Sequence, residues 1–287
     1  MITNINKDIF TIDTGPNLFL GIDLVDNIIL FDTGLDESTA RKIDKAVGKP
    51  VSLICNTHSH ADHIGGNFYF QKKYNSSVFI DPKELSFIYL TALEPSLLFG
   101  GYNNQFTKSR FLCAKPSFGQ ILDISRLNNY GIYTIEIPGH SPGLTAFMKD
   151  KILYIGDGLF SEEIINKYKI LYLYNPKDYA NSLKKIEETD FDLGVISHKG
   201  LLTKDNLYQL ININKHHLQM IKSIIYDLIE YNTTEEIMDL FIIRLDINLS
   251  PDLYLLILST LKGYLSWLLE EEVIEQIFDK RFMWKRK

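Results

Sequence analysis

Residues 58–63 read His-Ser-His-Ala-Asp-His: three imidazoles and a carboxylate in six positions, in a chain with only seven histidines among 287 residues. Imidazole nitrogen and carboxylate oxygen are the donors that hold zinc and similar divalent ions. The cluster therefore points to a metal centre, and a metal centre points to chemistry on a bound water. A water bound to a divalent ion can lose its proton near neutral pH and become a hydroxide nucleophile. Such an ion also polarises an electrophile and stabilises the charge that builds on its oxygen.

Four more residues of these types stand in one setting, each just after an apolar run that reads as a strand. Asp32 follows Ile28–Phe31, within Asp32-Thr33-Gly34. His140 follows 132–137, within Pro138-Gly139-His140-Ser141-Pro142-Gly143. Asp157 follows 152–155, within Gly156-Asp157-Gly158, and His198 follows Leu193–Ile196, within Ser197-His198-Lys199-Gly200. The hexapeptide itself comes just after Val51–Cys55, a short apolar run expected to be a buried strand. Strands deliver their ends to one edge of a sheet, so side chains far apart in sequence can meet there.

The remaining elements follow from periodicity and turn signals. Residues 8–13 and 18–25 read as strands, with Gly15-Pro16 as a turn and Asp26-Asn27 as a two-residue hairpin turn before Ile28–Phe31. Glu37–Val47 reads as a helix, as does Asn67–Tyr74, where Gly65-Gly66 allows close backbone approach at its start. Residues 84–120 are the least regular part, with Pro95, Gly100-Gly101 and Pro116 among aromatics, and such an excursion often lies over an active site. A strand at 145–148 and a helix at 178–188 complete this region. From about residue 203 the pattern turns helical: 206–231, a helix opening at Thr234, and a third announced by Ser250-Pro251-Asp252. Residues 273–284 fit a hairpin around Asp279-Lys280. We expect a catalytic domain over 1–203 and a mostly helical, winged-helix-like C-terminal appendage over 204–287.

Over roughly residues 8–200, these motifs resemble the metallo-β-lactamase superfamily. Asp32 and Gly34 match its first motif, His58 to His63 its H-x-H-x-D-H signature, and His140, Asp157 and His198 its later ligand positions. Ser-His-Lys-Gly stands where many relatives have Gly-His-Gly. The resemblance implies an α/β fold, a four-layer αβ/βα sandwich with two sheets face to face and helices outside. It also implies two divalent ions, with zinc the best match to a nitrogen-rich, sulfur-free donor set and iron or manganese tolerated. One ion would be held by His58, His60 and His140, the other by Asp62, His63 and His198, with Asp157 bridging. The spacing agrees. His58 and His60 are two apart in an extended segment and point the same way, whereas Asp62 and His63 come after the chain turns. Asp62 would also orient the nucleophile, and Asp32 would fix the ligands through hydrogen bonds, so the expected catalytic aspartates are Asp62, Asp157 and Asp32.

A bridging aspartate resembles the hydroxyacylglutathione hydrolase (glyoxalase II) branch, lactonases and phosphodiesterases. His60 argues against the flavodiiron branch, which has glutamate there. The 40 residues between Asp157 and His198 are too few for nucleases with an inserted cap. The resemblance therefore implies a metallo-hydrolase acting on a small thioester, or an ester or lactone. Other readings stay open: a small endoribonuclease or phosphodiesterase, whose animal relatives have a similar tail; a non-catalytic metal-bearing sensor or binding module; and an iron-dependent redox enzyme.

Composition narrows the partners. The net charge of −6 argues against general nucleic-acid binding. The C-terminal Lys-Arg-Phe-Met-Trp-Lys-Arg-Lys has the basic and aromatic residues of a single-strand contact. Yet 203–287 holds ten Lys/Arg against thirteen Asp/Glu, so it reads as a solvated second strand. MITNINKDIF lacks the apolar core of a secretory signal, no apolar run is long enough to span a bilayer, and two cysteines make no disulfide framework. A cytoplasmic enzyme with a small-molecule substrate and no membrane contact is expected; the sequence sets no oligomeric state. Tyr102, Phe106, Tyr172 and Tyr174 could line a pocket, and Lys167 and Lys169 could meet an anionic substrate, although packing and solvent exposure are the defaults. His216-His217 read as partly exposed and unrelated to the metal, Cys55 as packed, and Gly65 as required for backbone shape.

Overall fold

The computed structural model describes residues 1–104, 109–119, 121, 124–198 and 200–287. Phe106, read above as a pocket aromatic, and Lys199 of the last motif lie outside the described residues. The chain opens with β1 (Ile2–Asn4), β2 (Ile9–Asp13), β3 (Leu18–Asp23) and β4 (Ile28–Phe31), then α1 (Glu37–Val47) and β5 (Val51–Cys55). The single turn α2 (Ala61–Ile64), α3 (Asn67–Tyr74) and β6 (Ser77–Phe79) follow, then α4 (Leu85–Tyr89), α5 (Leu93–Phe99) and α6 (Ile124–Asn128). Next come β7 (Tyr133–Glu136), β8 (Thr145–Lys149), β9 (Ile152–Gly156), α7 (Glu162–Tyr168), α8 (Pro176–Glu188), β10 (Leu193–Ile196) and β11 (Gly200–Thr203). The appendage contains α9 (Lys204–Leu228), β12 (Tyr231–Asn232), α10 (Thr234–Leu245), α11 (Pro251–Glu270), β13 (Ile274–Asp279) and β14 (Arg281–Arg286).

Two sheets pack face to face, one in the order β1-β2-β3-β4-β5-β6 and the other β11-β10-β9-β8-β7. Alternation along each strand decides what each face meets. In β4, Ile29 and Phe31 join Leu53, Cys55, Phe147, Tyr154 and Val195 between the sheets. Its other residues, Ile28 and Leu30, pack outward with Ala40 and Ile43 of α1 and Phe70 of α3. In β9, Leu153 and Ile155 face the opposite way, onto Leu183 of α8, Ile211 of α9 and Leu261 of α11. The result is helix, sheet, sheet, helix: the four-layer α/β sandwich. Burying each such aliphatic side chain is worth roughly 1.5–3 kcal/mol before chain entropy is subtracted.

Parallel pairing puts the functional turns on one edge. β4 and β5 are parallel, with Phe31 opposite Cys55, so Asp32 and His58 leave the sheet side by side. β9 and β10 are also parallel, and Asp157 and His198 leave together.

Several elements differ from the expectations. The loop before β4 spans residues 24–27 rather than two, because Asp23 pairs with Ile28 and Val25 takes a left-handed φ of 75°. The stretch over 84–120 contains α4 and α5, helices too short for a periodic signal. Helix α7 has no counterpart in the sequence reading, and α8 starts at Pro176 because Asn175 caps it by accepting from the Lys177 and Asp178 amides. Ser250 caps α11 as expected, accepting from the Leu253 amide with Pro251 in the first turn.

The appendage has winged-helix-like order, three helices and the sheet β12-β14-β13. β11 ends at Thr203 and α9 starts at Lys204, yet one apolar core runs unbroken from Ile155 in β9 to Trp284 in β14. Among the described residues, no helix is long and apolar enough to cross a membrane.

Candidate metal centre

The loop after β5 carries the first three imidazoles. His60 precedes α2 in extended backbone (φ −63°, ψ 148°), and α2 then turns Asp62 and His63 to the other side. Gly65 and Gly66 let this turn lie against the loop after β4. A Cβ on Gly65 would stand 1.9 Å from the Leu35 carbonyl oxygen, and one on Gly66 2.5 Å from that of Thr33. Gly65 has ordinary helical backbone (φ −60°), so its requirement is space rather than a special φ. The His63 carbonyl accepts from the Thr33 amide at 2.8 Å and from Asn56 Nδ2 at 3.1 Å, which fixes the turn's exit.

Two donor groups result. His58, His60 and His140 form one, and Asp62, His63, Asp157 and His198 form the other; within each group the donor atoms lie within 4.8 Å of one another. They meet at Asp157, whose Oδ2 lies 3.3 Å from His198 Nε2, 3.4 Å from His63 Nε2 and 3.8 Å from His140 Nε2. Every candidate ligand named from the sequence is therefore in this one cluster. Asp32 lies behind it, fully buried and with a left-handed φ of 59°.

Hydrogen bonds at the far ring nitrogens set the tautomers. His63 Nδ1 donates to Asp32 Oδ2 at 2.8 Å, His140 Nδ1 to the Tyr172 carbonyl at 3.0 Å, and His198 Nδ1 to the Pro16 carbonyl at 3.3 Å. Each bond turns the ring's Nε2 inward. His60 is reversed: Nδ1 faces His58 Nε2 at 2.9 Å, and Nε2 faces Glu94 Oε1 at 3.7 Å. Two imidazole nitrogens that close require a shared proton or a shared cation between them. Asp32 also accepts from the Thr57 amide and hydroxyl at 2.8 Å each, and from the Tyr154 hydroxyl at 3.0 Å.

The electrostatics separate the groups. Burial, reinforced by His63, holds His58 well below its ordinary pKa; burial and His140 do the same for His60, and burial lowers His140. These imidazoles are neutral, as ligands must be. In the second group, Asp157 pushes His198 up to about 11. Against burial, Asp62, Asp157 and Asp32 hold His63 well above its ordinary value. Against their own burial, Asp157 is held low by His198 and His63, and Asp62 by His63 and His198. Two close carboxylates thus demand positive charge. Among the described residues, His63 Nε2, His140 Nε2 and Asp157 Oδ1 are buried with no hydrogen-bond partner. Buried atoms without hydrogen-bond partners converging on a carboxylate pair fit divalent ions, which would displace the imidazole protons, and the donor set is nitrogen and oxygen only.

Several residues of the site went unrecognised in the sequence. Glu84 joins the two ligand loops, accepting from the Ser59 hydroxyl at 2.5 Å and the Gly143 amide at 2.7 Å. Glu94 stands beside His60, its carboxyl pushed well above the usual range by burial and by the charges of Asp62 and Glu84. Both come from the stretch read as irregular, where isolated acids give no signal. Asn17 Nδ2 approaches Asp62 Oδ2 at 3.5 Å. Tyr172, by contrast, was among the pocket aromatics expected from the sequence; it lines the cleft and lies against His60 and His140, with ring centroids 5.4 and 5.7 Å away. The next residue is tied to the appendage: Leu173 N donates to Thr260 Oγ1 of α11 at 3.0 Å.

The weaker candidates sort differently. Tyr102 is 89% exposed and Tyr174 43% exposed. Lys169 caps α10, donating to the Leu245 and Asp246 carbonyls at 2.7 Å each. Cys55 packs between the sheets. His217, expected to be partly exposed, is buried, and burial holds its pKa down to about 4; His216 beside it faces solvent. In the C-terminal strand Trp284 is buried and donates to Thr234 Oγ1 at 3.0 Å, which takes it away from any base-stacking surface.

Asp62, His140 and His198 open onto a cleft of about 1130 Å³. Its far wall comes from α7 and from the first half of α11.

Comparisons with known proteins agree with this geometry. The sequence model of the metallo-beta-lactamase superfamily matches residues 22–198. A hydroxyacylglutathione hydrolase of Buchnera aphidicola is 24% identical over 188 residues, 65% of this chain and 60% of its own length. The "Probable metallo-hydrolase YqgX" of Bacillus subtilis is 30% identical over 139 residues, 47% of this chain and 62% of its own length. The chain thus spans about three fifths of these curated relatives. Among solved structures, a metallo-beta-lactamase family protein of Thermus thermophilus is similar over 99% of this chain and all of its own, with TM-score 0.73 and 18% identity. A beta-lactamase domain protein of Burkholderia ambifaria is similar over 100% of this chain and 93% of its own, with TM-score 0.74 and 16% identity. These structural likenesses extend through the appendage and concern the fold alone. With its ligand loops gathered on one sheet edge and a family match across well over half of its length, the chain belongs to the metallo-β-lactamase superfamily.

Proposed function

We propose that the protein is a metal-dependent hydrolase of a small thioester, with esters and lactones as close alternatives. The observation that carries this reading is the convergence of two donor groups on Asp157 at the floor of an open cleft. Two relatives named hydroxyacylglutathione hydrolase, from Buchnera and from Haemophilus influenzae, favour a thioester. His58, His60 and His140 would hold one divalent ion, Asp62, His63 and His198 the other, and Asp157 both; zinc suits the donors best. Such ions, when bound, make a water nucleophilic near neutral pH and polarise a carbonyl.

The chain's own residues do the rest. Asp62, whose side chain is 31% exposed, faces the cleft and orients the attacking water through its carboxylate. Asp32 keeps His63 and Thr57 in place from behind. Hydrolysis adds one water across the bond: the carbonyl carbon gains hydroxyl, the carbon–sulfur bond breaks, and the leaving sulfur takes the proton. A thiolate leaves readily, so the site needs no strong acid beside it. Within this reading, residues 1–203 form the catalytic unit and 204–287 shape the substrate cleft.

A duplex-reading role for the winged-helix-like appendage is disfavoured by α11, whereas RNA cleavage at the cluster itself is decided by the assay below. In helix-turn-helix proteins the second helix must be free to enter a groove. Here α11 is packed against α5, α8, α9 and α10. The test is a panel of thioesters, a lactone, a phosphodiester and short RNA with zinc-loaded protein. Thioester turnover is expected; turnover of RNA alone would overturn the proposal.

A further inference from the structure

The cleft does not end at the candidate ligands. Beyond His140 it continues between α7 and α11, where a run of apolar side chains lines it beside Glu163, Lys167, Ser250, Asp252 and Thr260. Ile164 of α7, Ile170 and Leu171 of the following loop, and Leu253, Leu256 and Ile257 of α11 all line it. Ile170, Leu171 and Ile257 are buried, while Ile164, Leu253 and Leu256 are half-buried and still present surface. Leu256 is braced from behind by Leu98 and Leu112, so this wall is supported by the 84–121 stretch as well. Charged residues lining the cleft are of both signs, Arg110 and Lys167 against Asp13, Asp62, Glu163 and Asp252, so the acids are in slight excess and the cleft offers an anionic group no cationic pocket.

We propose that this part of the cleft is an acyl-binding site and that the substrate is an acyl thioester or ester with an extended apolar arm. The inference rests on the hydrolase reading above and adds the substrate class. The arm lies between α7 and α11 while its carbonyl reaches the cluster at Asp157. Continuity of the channel with Asp62, His140 and His198 selects part of the substrate over a docked protein segment, because one cleft holds both the apolar wall and the hydrolytic centre. A helix of the appendage therefore sets chain-length specificity.

Each methylene taken from water into such a wall should raise kcat/KM about fourfold until the channel is full. The test uses holoenzyme and S-acyl N-acetylcysteamine thioesters from two to ten carbons, with straight-chain carboxylates of the same lengths as binding probes by calorimetry. Turnover and carboxylate affinity should both rise with length over several carbons. Leu256→Trp and Ile164→Trp, which fill the channel from opposite walls, should each flatten the series and lower turnover of the longest substrates at least tenfold. Ile243→Trp, on exposed α10 surface outside the cleft lining, should leave the slope unaltered. Equal turnover and equal carboxylate affinity at every length would overturn the acyl site and leave hydrolysis standing. No turnover of any thioester, together with length-dependent carboxylate binding that Leu256→Trp abolishes, would sink the thioester reading and keep the apolar site.

Discussion

The two donor groups are neighbours of opposite character. The first is built of histidines only, all kept neutral by burial. The second contains two carboxylates that hold His63 and His198 well above their ordinary pKa, and its His198 and Asp62 side chains remain 24% and 31% exposed to the cleft. One site is prepared by exclusion of water, the other by accumulated negative charge. The lesson is that a chain can attract a cation in two ways: with neutral imidazoles that already offer lone pairs, or with carboxylates whose charge is balanced by imidazole protons that a metal must displace. The exposed, acidic side is then the one placed to handle water and substrate. Asp157 belongs to the second group by distance yet reaches His140 of the first.

The largest expected effect comes from removing that shared contact. Asp157→Ala should lower turnover on the order of 10²–10³-fold or more. It should also reduce bound metal below two equivalents, with far-ultraviolet circular dichroism unaltered. Full loading and near-normal turnover would erase the distinction between a shared carboxylate and a merely adjacent one.

Asp32→Asn separates the groups more finely. It weakens the acceptor for His63 Nδ1 but touches no donor of the first group except through Thr57. Loss of such an outer partner typically costs about 10–100-fold in metal affinity. That loss should fall on the more weakly held of two ions in a cobalt titration, with the other ion little affected. Equal weakening of both would show that the groups form one unit.

The first group should respond to the appendage. Thr260→Val leaves the Leu173 amide without its acceptor, at a cost of about 1–3 kcal/mol in stability. Because the Tyr172 carbonyl next to it orients His140, affinity at the first group should fall as well, by less than in Asp32→Asn. Thermal melts of metal-free and metal-loaded protein read both effects. A melt shift identical in the two states would mean that α11 only packs.

His217 is the smallest test, because burial alone keeps it neutral, far from any carboxylate cluster. Its folded pKa of about 4 lies below the ordinary 6.5, so the unfolded chain binds more protons between those values. Its contribution to stability is therefore fully present above pH 6.5 and declines as pH falls towards 4. Between pH 7 and 5.5 it should cost about 1 kcal/mol. Denaturant melts of His217→Phe should lack that share of the acid loss. An unaltered pH dependence would show that burial does not act on this imidazole as it acts on His58.

Sequence and structure agree where information is local. His58, His60, Asp62 and His63 fall within six contiguous positions, and the strand before them is a plain apolar run. His140, Asp157 and His198 were legible only as turns after strands, because their meeting depends on parallel pairing of β4 with β5 and β9 with β10 and, for His140, on the loop between the antiparallel β7 and β8. The supporting shell was not legible. Tyr154 reaches Asp32 from the other sheet, 122 positions away, and in the sequence it is one more residue of an apolar strand. Thr260 sits in a helix pattern where nothing distinguishes a structural hydroxyl from a surface one. Glu84 stands just before the short helix α4 and Glu94 lies in the short α5, where no periodicity marks them. The channel between α7 and α11 exists only once the appendage is docked.

Cobalt or zinc titration of metal-free protein, with the equivalents bound counted by elemental analysis, asks whether the cluster does what its chemistry demands. Two equivalents per chain are expected for the native sequence, with the count falling when His58 or His63 is replaced by alanine. Binding of no metal, or a stoichiometry indifferent to those replacements, would contradict the whole reading.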